Sequence, residues 1–156
     1  MKKYVLMFLF FGFLLNFCGC FSESEDEGED EYKLTCKIDG VNKTFYAGGF
    51  GLDNYDNTYN NFYDSKENDD EYFYFKFPAD VAAGSYDKTS SNFDFDYHTS
   101  SEIYYDNHAS SNITVTVIEW GSDNGDPISG TFSGNLCNDS GCKTITQGTF
   151  ESKLIE

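Results

Sequence analysis

The residues with the clearest capacity for chemistry are acidic side chains gathered within residues 53–70. Calcium takes roughly six to eight oxygen ligands, often from carboxylates at alternate positions of a loop. Residues 53–57, Asp-Asn-Tyr-Asp-Asn, have part of that spacing, but they lack the register of an EF-hand with its glycine and final glutamate. We interpret the segment first as a solvated acidic loop. The alternative is a weak calcium site, with the candidate ligands Asp53, Asp56, Asp69 and Asp70.

Tyrosines in the same segment could bind a ligand. The candidates are Tyr55, Tyr59 and Tyr63, whose rings could form a platform for sugars, as in β-sandwich carbohydrate-binding modules. Residues 48–70 are the longest stretch without a clear pattern; we predict a strand ending near Leu52 and then a polar loop. Long loops in compact domains are often functional or disordered. Cross-strand packing on an exposed sheet face is the simpler role for these rings.

Catalytic motifs do not occur in the chain. His98 and His108 are the only histidines, each among Ser, Asn and Asp, and there is no Gly-x-Ser-x-Gly, His-Glu-x-x-His or phosphate-binding loop. A general base needs a nucleophile or an orienting partner nearby. We therefore predict no catalytic residues and no enzymatic activity.

Three cysteines belong to the folded part of the chain. Cys137 and Cys142 flank Asn-Asp-Ser-Gly, a turn that would place them opposite each other in a hairpin. We predict a disulfide between them and a buried free thiol at Cys36; the alternative is that one of them pairs with Cys36. Three cysteines without clustered histidines do not suit zinc, which takes four ligands.

The elements that must position these residues are strands. Alternation of period two begins at Tyr32 and recurs, with Asp39-Gly40 as a hairpin turn and a bulge expected near Ile118. Phe73, Phe75 and Phe77 fall on one face of a strand, as do the aromatics at 93, 95 and 97. Two facing sheets would bury this many phenylalanines, so we predict an all-β fold, an antiparallel β-sandwich of about seven or eight strands.

The amino-acid composition restricts the classes of partner that the protein can bind. The formal net charge is −17 and the chain contains no arginine, which excludes a typical nucleic-acid surface and repels an anionic membrane. Aromatic residues make up 19% of the chain, far more than disordered chains contain. The sequence thus predicts an acidic domain with a substantial core, and no cofactor apart from the calcium alternative.

The N-terminus predicts export and anchoring. Lys2 and Lys3 precede an apolar run, residues 4–17, that is shorter than the roughly 20 residues of a membrane-spanning helix. Gly19-Cys20 then resembles the lipobox of bacterial lipoproteins, which implies that Cys20 becomes the first residue and carries acyl chains, palmitate among them. The alternatives are cleavage at Cys18, ordinary signal cleavage, or a retained anchor. We divide the chain into a signal peptide (1–19), an acidic flexible tether (20–31) and a β-sandwich domain (32–156).

Three further patterns resemble small uncharacterised lipoproteins of Gram-negative bacteria. They are the opening hairpin at 38–45 (Ile-Asp-Gly-Val-Asn-Lys-Thr-Phe), a mid-chain Gly-x-Tyr at 84–86, and the closing strand pair at 128–132 and 145–150. The resemblance implies a β-sandwich lipoprotein and carries over no functional residue. The acidic run at 22–31 also resembles the signal that sends lipoproteins to the outer face of the outer membrane.

These observations predict a lipid-anchored lipoprotein of the cell envelope, at the outer membrane, that serves as a non-catalytic binding, adhesion or structural module. Exposure at the cell surface and exposure to the periplasm are both left open by the sequence. A cell-surface glycan or a protein is the expected partner. A calcium-stabilised carbohydrate-binding module is the first alternative, and an enzyme is the second.

The anchor can be tested by mass spectrometry of the native protein. We expect the mature chain to begin at Cys20 and to carry the added mass of acyl chains, because Gly19-Cys20 supplies the small residue and the sulfur that acylation needs. A Cys20→Ser chain should lack that mass. A native chain that still begins at Met1 would contradict the prediction.

Overall fold

The computed structural model describes residues 32–46, 49–53, 55–65 and 68–155, and within them the fold is all-β with no helix. It contains the following strands: β1 (Lys33–Ile38), β2 (Val41–Tyr46), β3 (Phe50–Asp53), β4 (Thr58–Ser65), β5 (Asn68–Pro78), β6 (Gly84–Tyr86), β7 (Asp94–His98), β8 (Ile103–Tyr105), β9 (Thr114–Trp120), β10 (Pro127–Asn138) and β11 (Gly141–Ile155).

The strands form two halves that face each other. The six-stranded half has the order β6-β9-β10-β11-β1-β2, and the five-stranded half has the order β3-β4-β5-β7-β8. Three short pairings join the two halves, Leu154 with Phe50, Cys137 with Tyr105, and Tyr46 with Asp64. Only the β11–β3 pairing is parallel among the described ladders. The halves therefore share one continuous hydrogen-bonded sheet and enclose a single core between them.

Aromatic side chains fill the core. Phe73, Phe75 and Phe77 project from β5 toward the six-stranded half and are fully buried. The ring of Phe75 lies 5.4 Å from that of Phe150 on β11 and 6.0 Å from that of Phe132 on β10. Full burial of one such side chain contributes about 1.5–3 kcal/mol. Contacts between rings across the two halves are thus the main apolar contribution to the fold.

The first hairpin turns at Asp39-Gly40, as its sequence predicts. Both residues have positive φ, 51° and 83°, which is the backbone of a type I′ turn and suits glycine at the second position. The carboxylate of Asp39 accepts hydrogen bonds from the Thr144 N–H (2.9 Å) and from the Lys143 ammonium (3.0 Å). This turn is consequently fastened to β11, a strand distant in sequence.

The prediction of all-β class is confirmed, whereas the predicted number of strands is wrong. Residues 58–65, expected in a loop, form β4, and residues 68–71 extend β5. The polar residues of β4 have weak strand preference, but the strand pairs with β5 from Thr58 opposite Pro78 to Ser65 opposite Asn68, and pairing overrides local preference. The short β6 was also not anticipated; it is defined by its pairing with β9.

The predicted signal peptide and tether, residues 1–31, lie outside the described residues, as does Cys20. Within the described ranges, no helix is long and apolar enough to span a membrane.

Phe75 offers the most direct test of the core. We expect Phe75→Ala to lower the free energy of unfolding by about 3–5 kcal/mol, because the surrounding rings cannot close the cavity that it leaves. Urea denaturation followed by the fluorescence of Trp120, whose ring packs 5.3 Å from that of Phe50, would measure this loss. Val41→Ala, at a position 60% exposed, is the control and should change stability by less than about 0.5 kcal/mol.

Candidate functional site

The acidic calcium candidates that the structure describes have partners within the protein. The ammonium of Lys76 lies 2.7 Å from Asp56 Oδ2. Asp53 accepts hydrogen bonds from the Tyr55 N–H (2.8 Å) and the Asn60 amide (3.3 Å). The hydrogen bond from Lys76 lowers the pKa of Asp56, so this carboxylate is paired with a cation of the chain itself.

The other two calcium candidates, Asp69 and Asp70, lie on β5, and their side chains are outside the described part. Where side chains are described, no group of three or more His, Cys, Asp or Glu residues is arranged to hold a metal ion.

The candidate tyrosines fall in different environments. Tyr55 lies in the turn between β3 and β4 and is 98% exposed. Tyr59 packs against the core, with its ring 5.3 Å from that of Trp120. The backbone of Tyr63 pairs with Phe73, and its side chain lies outside the described part. Tyr55 and Tyr59 therefore do not share one exposed platform.

The cysteines and histidines also have defined places. Cys137 and Cys142 face each other in the β10–β11 hairpin and are joined by a disulfide, while Cys36 is free and buried. Burial raises the pKa of Cys36 to about 12. The ring of His98 stacks on Tyr72 at 4.3 Å, and the His108 Nε2 lies 3.8 Å from Asp139. None of these contacts joins a base to a nucleophile.

The most regular arrangement of polar side chains lies on the solvent-facing side of the six-stranded half. We call this side the outer face. One hydroxyl side chain from every strand of this half lies in the same register row. Each neighbouring pair in the row is matched across its ladder. In spatial order this hydroxyl row consists of Ser85, Thr116, Thr131, Thr149, Thr35 and Thr44.

Hydrogen bonds link members of the hydroxyl row. The hydroxyls of Thr35 and Thr149 lie 2.9 Å apart, and those of Ser85 and Thr116 lie 3.1 Å apart. Each hydroxyl has one proton to donate and two lone pairs to accept with. A hydroxyl in such a pair therefore keeps hydrogen-bonding capacity for a ligand.

Three neighbouring depressions lie on the outer face around this row. The first has a volume of about 480 Å³ and includes Lys33, Glu119, Ser129 and Glu151. The second, about 340 Å³, lies over the middle of the row at Thr116, Thr131 and Thr149. The third, about 260 Å³, lies over the far end at Thr35 and Thr44. They form an open, shallow surface along the face.

Gln147 separates the second and third depressions and lines both. It is the extra residue of a β-bulge, because the ladders of β11 with β10 and with β1 both shift register there. Its φ is 55°, the left-handed region that non-glycine residues rarely adopt. Gly148 follows, and a Cβ there would approach the Phe132 ring to 2.6 Å. The bulge thus directs an exposed amide to the middle of the outer face.

Two carboxyl groups on the other side of the molecule interact with each other; Asp106 is buried and Asp96 is half-buried. Asp96 lies on β7 opposite Tyr105, and Asp106 follows β8 directly. Asp106 is 1% exposed, and among the described residues neither of its carboxyl oxygens has a hydrogen-bond partner of normal geometry; the same holds for Oδ1 of Asp96. Burial, with the charge of Asp106, raises the pKa of Asp96 to about 7.

The pKa of Asp106 is also raised, to about 6, by burial and then by the charge of Asp94. The backbone N–H groups of Asn107 and Phe95 and the charge of Lys88 oppose this rise in part. Both groups bind protons more tightly in the folded chain than in the unfolded one. Their contribution to stability is therefore present below about pH 4 and is lost as the pH rises through 6 and 7.

The outer face could not be recognised from the sequence alone. The members of the hydroxyl row are scattered through the chain between Thr35 and Thr149, and only the strand order makes them neighbours. The alternation within each strand predicts which of its side chains point outward. The sequence does not show which distant strands pair with each other. No protein-family model, curated protein or solved structure matches this chain.

The carboxyl pair makes a prediction about pH. We expect Asp106→Asn to raise the free energy of unfolding at pH 8 by on the order of 2 kcal/mol, because the cost of burying the charged carboxylate is removed. At pH 3 the gain should vanish, since Asp106 is then protonated in both the folded and the unfolded chain. Urea denaturation at both pH values measures the difference. Asp80→Asn, in an exposed turn, is the control; a gain of equal size at both pH values would contradict the assignment.

Proposed function

We propose that this chain is an envelope lipoprotein, anchored through Cys20, whose β-sandwich domain is a non-catalytic binding module. The outer face of the six-stranded half is the surface that it presents to its partner. The observation that carries this proposal is the hydroxyl row, one outward hydroxyl from each of six neighbouring strands in an unbroken register.

The shape of the outer face favours a large partner. Small ligands are held in clefts that bury most of their surface. The depressions described above instead adjoin one another along an open face, so a partner would lie across them. A macromolecule or a polymer fits this shape better than a metabolite does.

The chemistry of the outer face favours binding over catalysis. Its central row carries hydroxyl groups, and the histidines His98 and His108 make their described contacts elsewhere, with Tyr72 and Asp139. Hydroxyls arrayed on a rigid sheet can donate and accept hydrogen bonds but cannot move protons at neutral pH by themselves. Recognition is the activity that such a row supports.

The proposed anchor is consistent with this arrangement. The described domain starts at Tyr32, which lies beside Lys33 in the first depression, so the outer face begins where the predicted tether would end. An acidic tether of residues 20–31 would extend by self-repulsion and hold the domain away from an anionic bilayer.

The binding surface can be tested with vesicles that carry the full acylated chain. Fluorescent phospholipid vesicles bearing the wild-type protein should attach to intact cells of the source bacterium, measured by flow cytometry. The double variant Thr131→Lys, Thr149→Lys should lose attachment at least tenfold, because two charged side chains would cover the middle of the row.

The matched control is the double variant Ser100→Lys, Ser101→Lys, which adds the same charge in the exposed bend after β7. It should attach as well as the wild type. Equal attachment of both double variants, or no attachment of wild-type vesicles above bare ones, would reject the outer face as the binding surface.

A further inference from the structure

We infer that the ligand of the outer face is an extended, uncharged polysaccharide whose chain runs across the strands, along the hydroxyl row, with Gln147 as its central contact. This inference rests on the binding module proposed above and specifies what that module recognises.

The hydroxyl row has the right hydrogen-bonding character for sugars. A sugar hydroxyl both donates and accepts, and so does each Ser or Thr of the row. Neighbouring strands lie about 4.8 Å apart, which is close to the length of one sugar unit in an extended chain. Successive sugars could therefore meet successive strands, one hydroxyl after another, from Ser85 at one end to Thr44 at the other.

The charges on the outer face favour an uncharged chain. The row itself carries no charge although the protein has a net charge of −17. In the next row, Lys33 lies in register with Glu151, and Glu151 and Glu119 both flank Ser129. This row holds two glutamates and one lysine, which make neither a basic patch nor a continuous acidic one. A polyanion would be repelled by the chain as a whole. A polycation would be attracted by the net charge of the chain and not by the row, which is uncharged.

The unfavourable backbone conformation of Gln147 indicates that its side chain has a function. A non-glycine residue in the left-handed region costs about 1–2 kcal/mol, and glycine would adopt the same conformation without that penalty. The side chain is exposed and lines the second and third depressions. Its amide can donate two hydrogen bonds and accept two, which suits a sugar that lies over the boundary between the depressions.

The experiment measures co-sedimentation of the full chain, purified in detergent, with insoluble cellulose, chitin and β-1,3-glucan. Alginate gel and chitosan serve as the polyanionic and polycationic comparisons. In about 1 M salt, where the Debye length of about 3 Å screens the net charge of the chain, we expect the wild type to be retained on at least one uncharged polysaccharide and on neither charged one. Gln147→Gly should weaken that retention at least fivefold while its urea midpoint stays the same or rises, because strain is relieved as the contact is lost.

Two further variants make the outcome specific. Asn92→Gly is the matched control, since Asn92 is another exposed amide at positive φ (54°) and lies in the turn before β7, away from the row. It should bind as the wild type does. Thr131→Val keeps shape and strand preference but removes the central hydroxyl, and it should weaken retention severalfold whether or not the Gln147 variant is well folded.

Three results would overturn the inference. They are no retention of the wild type on any uncharged polysaccharide, equal retention on the charged ones, and unchanged retention of both Gln147→Gly and Thr131→Val. The cell-attachment experiment decides the binding module separately: attachment to cells together with no retention on polysaccharide would reject this ligand class and leave the module in place.

Discussion

The structure depends on the burial of phenylalanine rings between two halves of one sheet. Because side chains alternate along a strand, an inward ring obliges its neighbours to point outward. Phe132 and Phe150 are buried in β10 and β11, and Thr131 and Thr149 are consequently turned to the solvent. The same strand registers therefore place the rings in the core and the hydroxyl row on the outer face. A slip of one residue in any of these ladders would expose rings and bury hydroxyls together.

Closure of the sheet explains why residues distant in sequence act as neighbours. β11 pairs with β10 along most of its length, with β1 on its other side, and finally with β3. One long strand thus holds the first hairpin, the last hairpin and the second half of the molecule in place. The bulge at Gln147 lies in this strand, so both of its ladders fix the position of the amide.

Much of the fold could be predicted because it is written locally. The period of two around Phe73 to Phe77 identifies β5, Asp39-Gly40 identifies the first turn, and the expected bulge at Ile118 is confirmed by the shift in register between β9 and β10. β4 could not be predicted, because its asparagines and aspartate disfavour strands and only pairing with β5 makes it one. The outer face could not be predicted either, since it depends on the order of strands and not on the pattern within any of them.

The environments of the acidic residues could not be predicted from the sequence either. The chain contains 27 Asp and Glu residues, and the sequence directs attention to those within residues 53–70 as calcium ligands. The structure instead gives Asp56 a lysine partner and buries Asp106, although Asp106 has no distinguishing neighbours in the sequence. Burial and ion pairing, which decide how a carboxylate behaves, are properties of the tertiary structure.

The position of β1 has a mechanical consequence. β1 starts the described domain and lies between β11 and β2, paired with both. A pull on the chain at Tyr32 would act along the axis of β1, and it would load the hydrogen bonds of both ladders in shear, so that many bonds share the force and must break nearly at once. A domain tethered at this end and held by its partner across the strands would resist tension far better than one whose first strand could be unzipped bond by bond from an edge.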